Sequence, residues 1–448
     1  MIAPRPVPGA PAGYAFPRAD RYEVGAGQVL AVHMPGQAFA AVRLVQPAGA
    51  VAEDVSAAGV SMLTADCLED GSEGDSSLAP ALERHGAEWA AGVGWDSFIT
   101  GVDVPVNRIE AAARLLAEAV RRPALRPDDV IRRRDQMVER FTLDNSYAPT
   151  LAGRAVGGQL FEGRYAVPVS GEPGSLAALE PDAVAAFHAA NVAAAAGTLV
   201  VTGDLDGVDV AELGRIVFGD AQVPAEAPGA GLREVSAPVP RVVVIDRPDS
   251  VQSAIVLAHR APARREVRLA ALRGAGEVLG GMFTSRLNLE LRERRGYTYG
   301  AHARFDLRRD AGVFLAATSV DTPTTADTVS ASVAEIERLR EGGVTDDELE
   351  AVKQSNTVGL PVRYATAGAV ASALVERIVH DLPEDHVDLL RADFEALTDE
   401  DLRWAARTYL HPDRLVAVVV GEAAAITEPL EKTGLGPVVV RDPGTLWS

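Results

Sequence analysis

The residues best suited to chemistry lie close together in the run LNLELRERRGYTYG, residues 287–300. The pattern before Gly296 predicts a helix, and YTYGAHARF after it is typical of a strand. Arg292, late on the helix, and Tyr299, early on the strand, could therefore point into one space. A guanidinium fork and a phenol hydroxyl placed there could hold a peptide carbonyl from two sides.

Composition limits the classes of protein to which this chain can belong. Its 448 residues suffice for two or three domains, and 47% hydrophobic with 24% charged residues is typical of a globular protein. A net charge of -20 argues against a nucleic-acid partner, because phosphates bind basic faces. The sequence lacks an apolar run of about 20 residues that would span a membrane. With Cys67 as the one cysteine, we expect a cytoplasmic protein without membrane partners.

A repeat divides the chain into two related halves. Residues 179–203 and 397–421 align without a gap, and each shows an amphipathic helix, a turn and a buried strand that ends at glycine. Thr398, three residues before Asp401, is placed to cap the helix of the second copy. A period this long, present twice, indicates duplicated domains rather than a solenoid.

The repeat and the composition together set the domain boundaries. We assign residues 1–220 to the first domain, 221–240 to a linker with four prolines and two glycines, and 241–448 to the second domain. The predicted strands that open the halves and the predicted long helices are Val29–His33, Phe39–Val45, Arg241–Ile245, Ser253–Ala258, Asn107–Val120 and Thr324–Leu339. Strands clustered with helices predict α+β domains, each a largely antiparallel sheet with helices packed on one face.

The run at 278–300 resembles a motif of the pitrilysin/insulinase zinc metallopeptidases, in their small bacterial, mitochondrial-processing-peptidase-like branch. The family motif is similar to GG-x-x-SRL-x-x-x-LRE-x-RG-x-x-Y. The matching residues are Gly280, Gly281, Ser285, Arg286, Leu287, Leu291, Arg292, Glu293, Arg295, Gly296 and Tyr299. The resemblance implies half of a peptidase clamshell. It also implies that Arg292 and Tyr299 bind substrate near the scissile bond, with the tyrosine stabilising an oxyanion.

Catalytic members of that family carry an H-x-x-E-H motif on a helix of the first domain, where histidines bind zinc and the glutamate is the base. The corresponding stretch of this chain is GVSMLTADCLEDGS, residues 59–72. Met62, Ala65 and Asp66 take the places of the histidine, glutamate and histidine. Methionine is a poor zinc ligand and alanine cannot be a base, so we expect no metal in this chain.

Two further positions of the family pattern are also replaced. The distal zinc-binding glutamate falls on Arg140, next to Glu139, and an arginine there would repel zinc. An asparagine that holds substrate backbone on an edge strand is replaced by Ala90. The resemblance therefore implies that this chain has no cofactor and that zinc belongs to a partner subunit.

The remaining polar residues offer no substitute site. None of the eight histidines lies between 34 and 84, and no two are three or four residues apart. His380 and His386, the closest pair, span a predicted loop, and we interpret the histidines as core or surface residues. The adjacent acids Glu69 and Asp70 are interpreted as a solvated helix end.

Our leading hypothesis is a non-catalytic subunit of a heterodimeric zinc metallopeptidase. This chain would be inactive alone, pair with a related subunit that has the zinc motif, supply Arg292 and Tyr299 in trans, and close a chamber around unfolded peptides. Two alternatives stay open. One is a structural or peptide-binding scaffold without a peptidase role. The other is an enzyme of different chemistry, for which the sequence has no phosphate loop, nucleophile elbow or Cys–His pair.

Overall fold

The protein is described here by a computed structural model, which covers residues 13–72, 78–223, 233–234 and 241–446. Most of the predicted linker, residues 224–232 and 235–240, lies outside the described residues. No helix in the described part of the chain is long and apolar enough to cross a membrane.

The first half, with the adjoining linker, forms a six-stranded sheet, a separate two-stranded sheet and its own helices. Its strands are β1 Asp20–Val24, β2 Gly27–His33, β3 Phe39–Gln46, β4 Glu88–Val93, β5 Phe98–Pro105, β6 Phe161–Glu162, β7 Thr198–Gly203 and β8 Arg233–Glu234. Its helices are α1 Val60–Cys67, α2 Leu78–Glu83, α3 Ile109–Arg121, α4 Pro127–Asn145, α5 Ala148–Leu160, α6 Pro173–Ala177, α7 Pro181–Phe187 and α8 Val210–Phe218. The six-stranded sheet has the order β1-β2-β7-β3-β5-β4, in which only β2 and β7 are parallel neighbours. Strands β6 and β8, the latter within the predicted linker, form the two-stranded antiparallel sheet.

The second half repeats this arrangement. Its strands are β9 Val242–Asp246, β10 Gln252–Ala261, β11 Ala301–Leu307, β12 Gly312–Asp321, β13 Val416–Gly421 and β14 Val438–Arg441. Its helices are α9 Leu269–Gly276, α10 Thr325–Gly342, α11 Asp346–Thr357, α12 Leu360–Arg363, α13 Ala367–Val379, α14 His386–Ala396, α15 Asp399–Tyr409 and α16 Ala423–Glu431. The sheet order is β11-β12-β10-β13-β9-β14, and β9 is parallel to both of its neighbours. Both sheets are largely antiparallel, which confirms the predicted α+β fold.

The duplicated segment has the same structure in both halves. In the first copy α7 leads to the fully buried β7, and in the second α15 leads to the fully buried β13. Thr398 caps α15 as predicted, because its Oγ1 accepts a hydrogen bond from the Asp401 amide at 3.1 Å. The Asp401 carboxylate accepts a hydrogen bond from the Thr398 amide at 3.1 Å, which completes a capping box.

Each sheet is covered on one face by helices of its own half and on the other by a helix of the opposite half. Helix α5 of the first half packs on β10 and β13, where Leu151 joins Val256 in one apolar cluster. Helix α13 of the second half packs on β3 and β7, where Val370 joins Val200. The apolar surfaces of the two halves are therefore buried in shared cores.

Candidate functional site

Arg292 is held at the protein surface by two neighbours. It lies in the π-helical turn Asn288–Arg294, and its guanidinium carbon is 3.7 Å from the centroid of the Phe283 ring. Its Nη2 is 2.7 Å from Oε1 of Glu293. The Arg292 side chain is 18% exposed, whereas Phe283 is 75% exposed. A cation–π contact and an ion pair therefore fix the direction of a guanidinium that still reaches solvent.

Tyr299 lies in the loop before β11, and its predicted position on the strand is wrong because β11 begins at Ala301. At this point, hydrogen bonds to nearby side chains replace the backbone hydrogen bonds of a strand pair. The Thr298 hydroxyl accepts a hydrogen bond from the Gly300 amide at 3.1 Å, and Oδ1 of Asn288 accepts one from the Ala301 amide at 2.9 Å. The Tyr299 side chain is 100% exposed.

The backbone around Tyr299 is anchored even though its phenol ring is free. Asn288 is buried, and its Nδ2 donates to the Met282 carbonyl at 3.2 Å and to the Ser285 hydroxyl at 3.1 Å. Within the described residues, no hydrogen bond or ring contact joins Arg292 to Tyr299. Sequence reasoning missed Asn288. Its place inside the motif, between the serine and the tyrosine, was the available signal.

The other motif residues have structural contacts that explain their types. Gly280 lets the helix approach β11, because a Cβ there would lie 2.3 Å from the Ala303 amide nitrogen. Arg286 donates to both oxygens of Glu348 at 2.7 Å and to the Gly343 carbonyl at 2.7 Å. These contacts position the turn that carries Arg292 and engage Nε and Nη2 of Arg286.

The positions of the missing zinc motif lie on α1, against α4. Ala65 is buried and Met62 is partly buried in the apolar core of the first half. Burial raises the pKa of the Asp66 carboxyl, and the positive charges of Arg133 and Arg140 partly offset that rise. The structure thus places Arg140 within electrostatic range of Asp66.

Asp70, just beyond α1, is an ion-paired residue. Arg133 donates to both of its carboxylate oxygens at 2.8 Å, and Nη2 of Arg132 is 3.0 Å from Oδ1. The Asp70 side chain is only 15% exposed, so its predicted place in a solvated helix end is wrong. The reason is tertiary, since packing of α4 along α1 brings two arginines to this carboxylate.

This region does not fit a zinc ion. A thioether, a methyl group and one carboxylate are not a ligand set for zinc, which takes three or four thiolate, imidazole or carboxylate ligands. The neighbouring guanidinium groups add positive charge that opposes a divalent cation. We therefore derive no metal chemistry from α1.

The start of α1 is fixed by a buried ion pair instead. Glu53 accepts hydrogen bonds from the Gly59 amide at 2.9 Å, from the Ser61 amide at 2.8 Å and from Nε of Arg164 at 2.8 Å. Both charged side chains are almost fully buried, with exposures of 3% and 0%. The carboxylate thereby satisfies amides at the helix N-terminus that have no partner within the helix.

An outermost strand accompanies each of these regions. Ala90 lies in the middle of β4, the edge strand of the first sheet, and is paired in register with Gly101. Strand β11 has the corresponding edge position in the second sheet. Edge strands have backbone groups that can pair with an added extended segment.

Family models and relatives match this chain over most of its length. "Insulinase (Peptidase family M16)" matches residues 28–156, and "Peptidase M16 inactive domain" matches residues 178–356. An uncharacterized zinc protease of Mycobacterium tuberculosis is 24% identical over 429 residues, which are 93% of this chain and 96% of that protein. Another uncharacterized zinc protease, of Streptomyces coelicolor, is 28% identical over 253 residues, 54% of each chain.

Solved structures agree with these sequence matches. The peptidase M16 inactive domain from Pseudomonas fluorescens has a TM-score of 0.82 at 25% identity, covering 90% of this chain and 98% of that one. A protease from Helicobacter pylori shares the fold with a TM-score of 0.82 at 17% identity, covering 91% and 100%. The chain belongs to the M16, or pitrilysin/insulinase-type, peptidase family, as a member whose sequence lacks the H-x-x-E-H zinc motif.

Proposed function

We propose that this chain is the non-catalytic subunit of a heterodimeric zinc metallopeptidase. In this assembly a related subunit with the H-x-x-E-H motif holds zinc, and this chain completes the substrate site and closes the chamber around unfolded peptides. Relatives named as zinc proteases support a peptidase assembly, although this chain has Met62, Ala65 and Asp66 at the motif positions.

The observation that carries the proposal is the full exposure of the Tyr299 side chain. A tyrosine that is 100% exposed buries no apolar surface against the described residues of the isolated chain. Its backbone is nevertheless anchored through Thr298 and Asn288, and the guanidinium of Arg292, earlier in the same motif, is held over the Phe283 ring. A fixed backbone with a free phenol is suited to a ligand that arrives from outside the chain.

The chemistry required of the pair is hydrogen-bond donation. In peptide hydrolysis the scissile carbonyl oxygen becomes an oxyanion, and a phenol donor stabilises it by about 2.7–4 kcal/mol, by analogy with other oxyanion donors. Arg292 has a planar fork of donors that can clamp a neighbouring carbonyl or carboxylate of the peptide. Both groups act without a metal ion in this chain.

Co-expression with each zinc-motif relative from the same genome tests the proposal. We expect a 1:1 complex on size-exclusion chromatography that cleaves unfolded peptides, with one zinc per heterodimer by metal analysis. Purified alone, this chain should contain no stoichiometric zinc and cleave no peptide.

Two results would contradict the proposal. One is a tightly bound zinc in the isolated chain, with peptidase activity that a chelator removes. The other is a stable complex whose turnover is unchanged when this chain carries Tyr299→Phe. The second result would favour the scaffold alternative, in which the chain assembles without contributing to catalysis.

A further inference from the structure

A cavity of about 360 Å³ lies where α9, β11 and α13 meet, and its lining includes none of residues 292–299. Arg264, Arg273 and Arg304 line it, together with Glu376 and other residues. We call it the Arg264 cavity. Three arginines around one cavity are unexpected in a chain with a net charge of -20.

Arg264 is a buried charge without a matched carboxylate. The residue is 6% exposed, and the structure gives its guanidinium one hydrogen bond, at 3.3 Å from Nη2 to Nε2 of His386. Its carboxylate neighbour, Oε1 of Glu376, is 3.8 Å from Nη2, beyond hydrogen-bonding distance. A buried guanidinium is costly unless charge and hydrogen bonds compensate it.

Glu376 cannot compensate Arg264 fully because it serves a second arginine. The same Oε1 accepts a hydrogen bond from Nη2 of Arg273 at 3.1 Å. Glu277 also lines the cavity, but in the described structure it accepts a hydrogen bond from Asn356 rather than from an arginine. Burial raises the pKa of Glu277, which weakens its value as a counter-charge.

The histidines next to Arg264 lie in surroundings with the same excess of positive charge. Nδ1 of His380 is buried and has no hydrogen-bond partner in the described structure. Burial, followed by the charge of Arg264, lowers the pKa values of both His380 and His386. Two arginines, an unpaired imidazole nitrogen and an open volume are the components of an anion site.

We propose that the Arg264 cavity binds a small oxyanion, a carboxylate or phosphate group, held by Arg264 and Arg273 with His380 beside it. This site does not depend on the peptidase role proposed above. A guanidinium fork matches the oxygen spacing of either group, so experiment must decide whether the carboxylate or the phosphate binds.

Isothermal titration calorimetry of the purified chain at constant ionic strength provides the test, with sodium glutarate and inorganic phosphate as probes and sodium chloride as the reference. We expect one saturable site for at least one probe, and the tighter probe identifies the group. Arg273→Gln should weaken binding about tenfold, because it removes one charge-assisted bond. Arg264→Met should abolish it. Arg114→Gln, at an exposed pair with Glu110 on α3, is the matched control.

Unfolding of the ligand-free chain gives a second readout. If the charge of Arg264 is uncompensated, Arg264→Met should leave the urea midpoint unchanged or raise it, whereas loss of a structural ion pair would lower it. If that variant does not fold, the claim that the charge of Arg264 is uncompensated is wrong. Arg273→Gln, at a half-exposed residue, still reports on binding. Absence of saturable binding for both probes, or binding that survives both substitutions, would overturn the proposal.

Discussion

The two halves of this protein share one fold but differ in what they do with corresponding regions. In the first half, contacts within the chain pair the carboxylates at both ends of α1. Asp70 is paired to two arginines, and Glu53 is buried against Arg164. In the second half, the loop before β11 leaves Tyr299 fully exposed. Intramolecular contacts satisfy the charges of one region, whereas the phenol of the other has no partner among the residues that the structure describes.

This difference predicts that the first region contributes to stability and the second to binding. Removal of a contact in the first region should change the free energy of unfolding, because buried charges lose their partners. Removal of the Tyr299 hydroxyl should change little in the isolated chain, because it contacts only solvent. Substitutions in the two regions should therefore affect different measurements.

The largest effect is expected from Glu53→Ala. This change leaves the Arg164 guanidinium buried without its carboxylate and should lower the free energy of unfolding by about 3–5 kcal/mol. Denaturant unfolding of the purified chain measures it. Glu110→Ala removes an exposed carboxylate with a helical partner and should cost less than about 0.5 kcal/mol. Equal losses for both variants would mean that the buried ion pair contributes no more to the free energy of unfolding than the exposed pair does.

Acidification should weaken the second half through His259. Burial lowers the pKa of this imidazole to about 4, and the hydrogen bond from Nδ1 to the Arg260 carbonyl offsets only part of that fall. The neutral Nε2 accepts a hydrogen bond from the His411 amide, which a protonated ring could not do. The unfolded chain binds the proton near pH 6.5, so stability is present above that pH and falls as pH drops from 6.5 to 4. The fall is up to about 3 kcal/mol at about 1.4 kcal/mol per pH unit.

Urea unfolding at several pH values between 7 and 4 measures this dependence. His259→Gln keeps a donor and an acceptor but does not titrate, so the slope between pH 6.5 and 4 should become shallower. A slope that is unchanged in the variant would assign the acid sensitivity to other groups.

Tyr299→Phe should leave the fold intact and act on catalysis in the proposed complex. With the zinc-bearing partner, we expect kcat to fall about a hundredfold, near 2.7 kcal/mol, if the phenol stabilises the transition state more than the ground state. Tyr147→Phe removes a hydroxyl from another exposed tyrosine, 65% exposed, and is the matched control. Unchanged turnover in an intact complex would make Tyr299 dispensable for chemistry.

The smallest effect is expected at Phe283. Phe283→Ala removes the ring under the Arg292 guanidinium, and a loss of about 0.5–1 kcal/mol should lower kcat/KM of the complex about two- to fivefold. Phe283→Tyr keeps an aromatic face and should restore activity. If alanine and tyrosine behave alike, the Glu293 ion pair alone is sufficient to hold Arg292.

The sequence predicted the elements whose causes are local. Thr398 caps α15 because a hydroxyl three residues before Asp401 can reach its amide, whatever surrounds the helix. The continuous apolar run of β13 predicts a strand buried on both faces. The motif residues from Gly280 to Tyr299 were sufficient to indicate the family, because their types and spacing are visible without a fold.

The sequence also suggested the site, but only in part. The helix that carries Arg292 was predicted correctly. The strand was predicted to begin at Tyr297, four residues too early, because hydrogen bonds of the Thr298 and Asn288 side chains compete with strand pairing just before Ala301. Such competition depends on which side chains meet, and strand propensity does not include it.

Only the tertiary structure decided which distant segments meet. Helix α5 covers the sheet of the second half and α13 covers that of the first, although each helix is only an apolar pattern in the sequence. Asp70 meets Arg133, and Arg264 becomes buried beside Glu376 and His386, through packing between residues far apart in the chain. Apolar periodicity records that a face must be buried, because water disfavours it, but not which surface buries it.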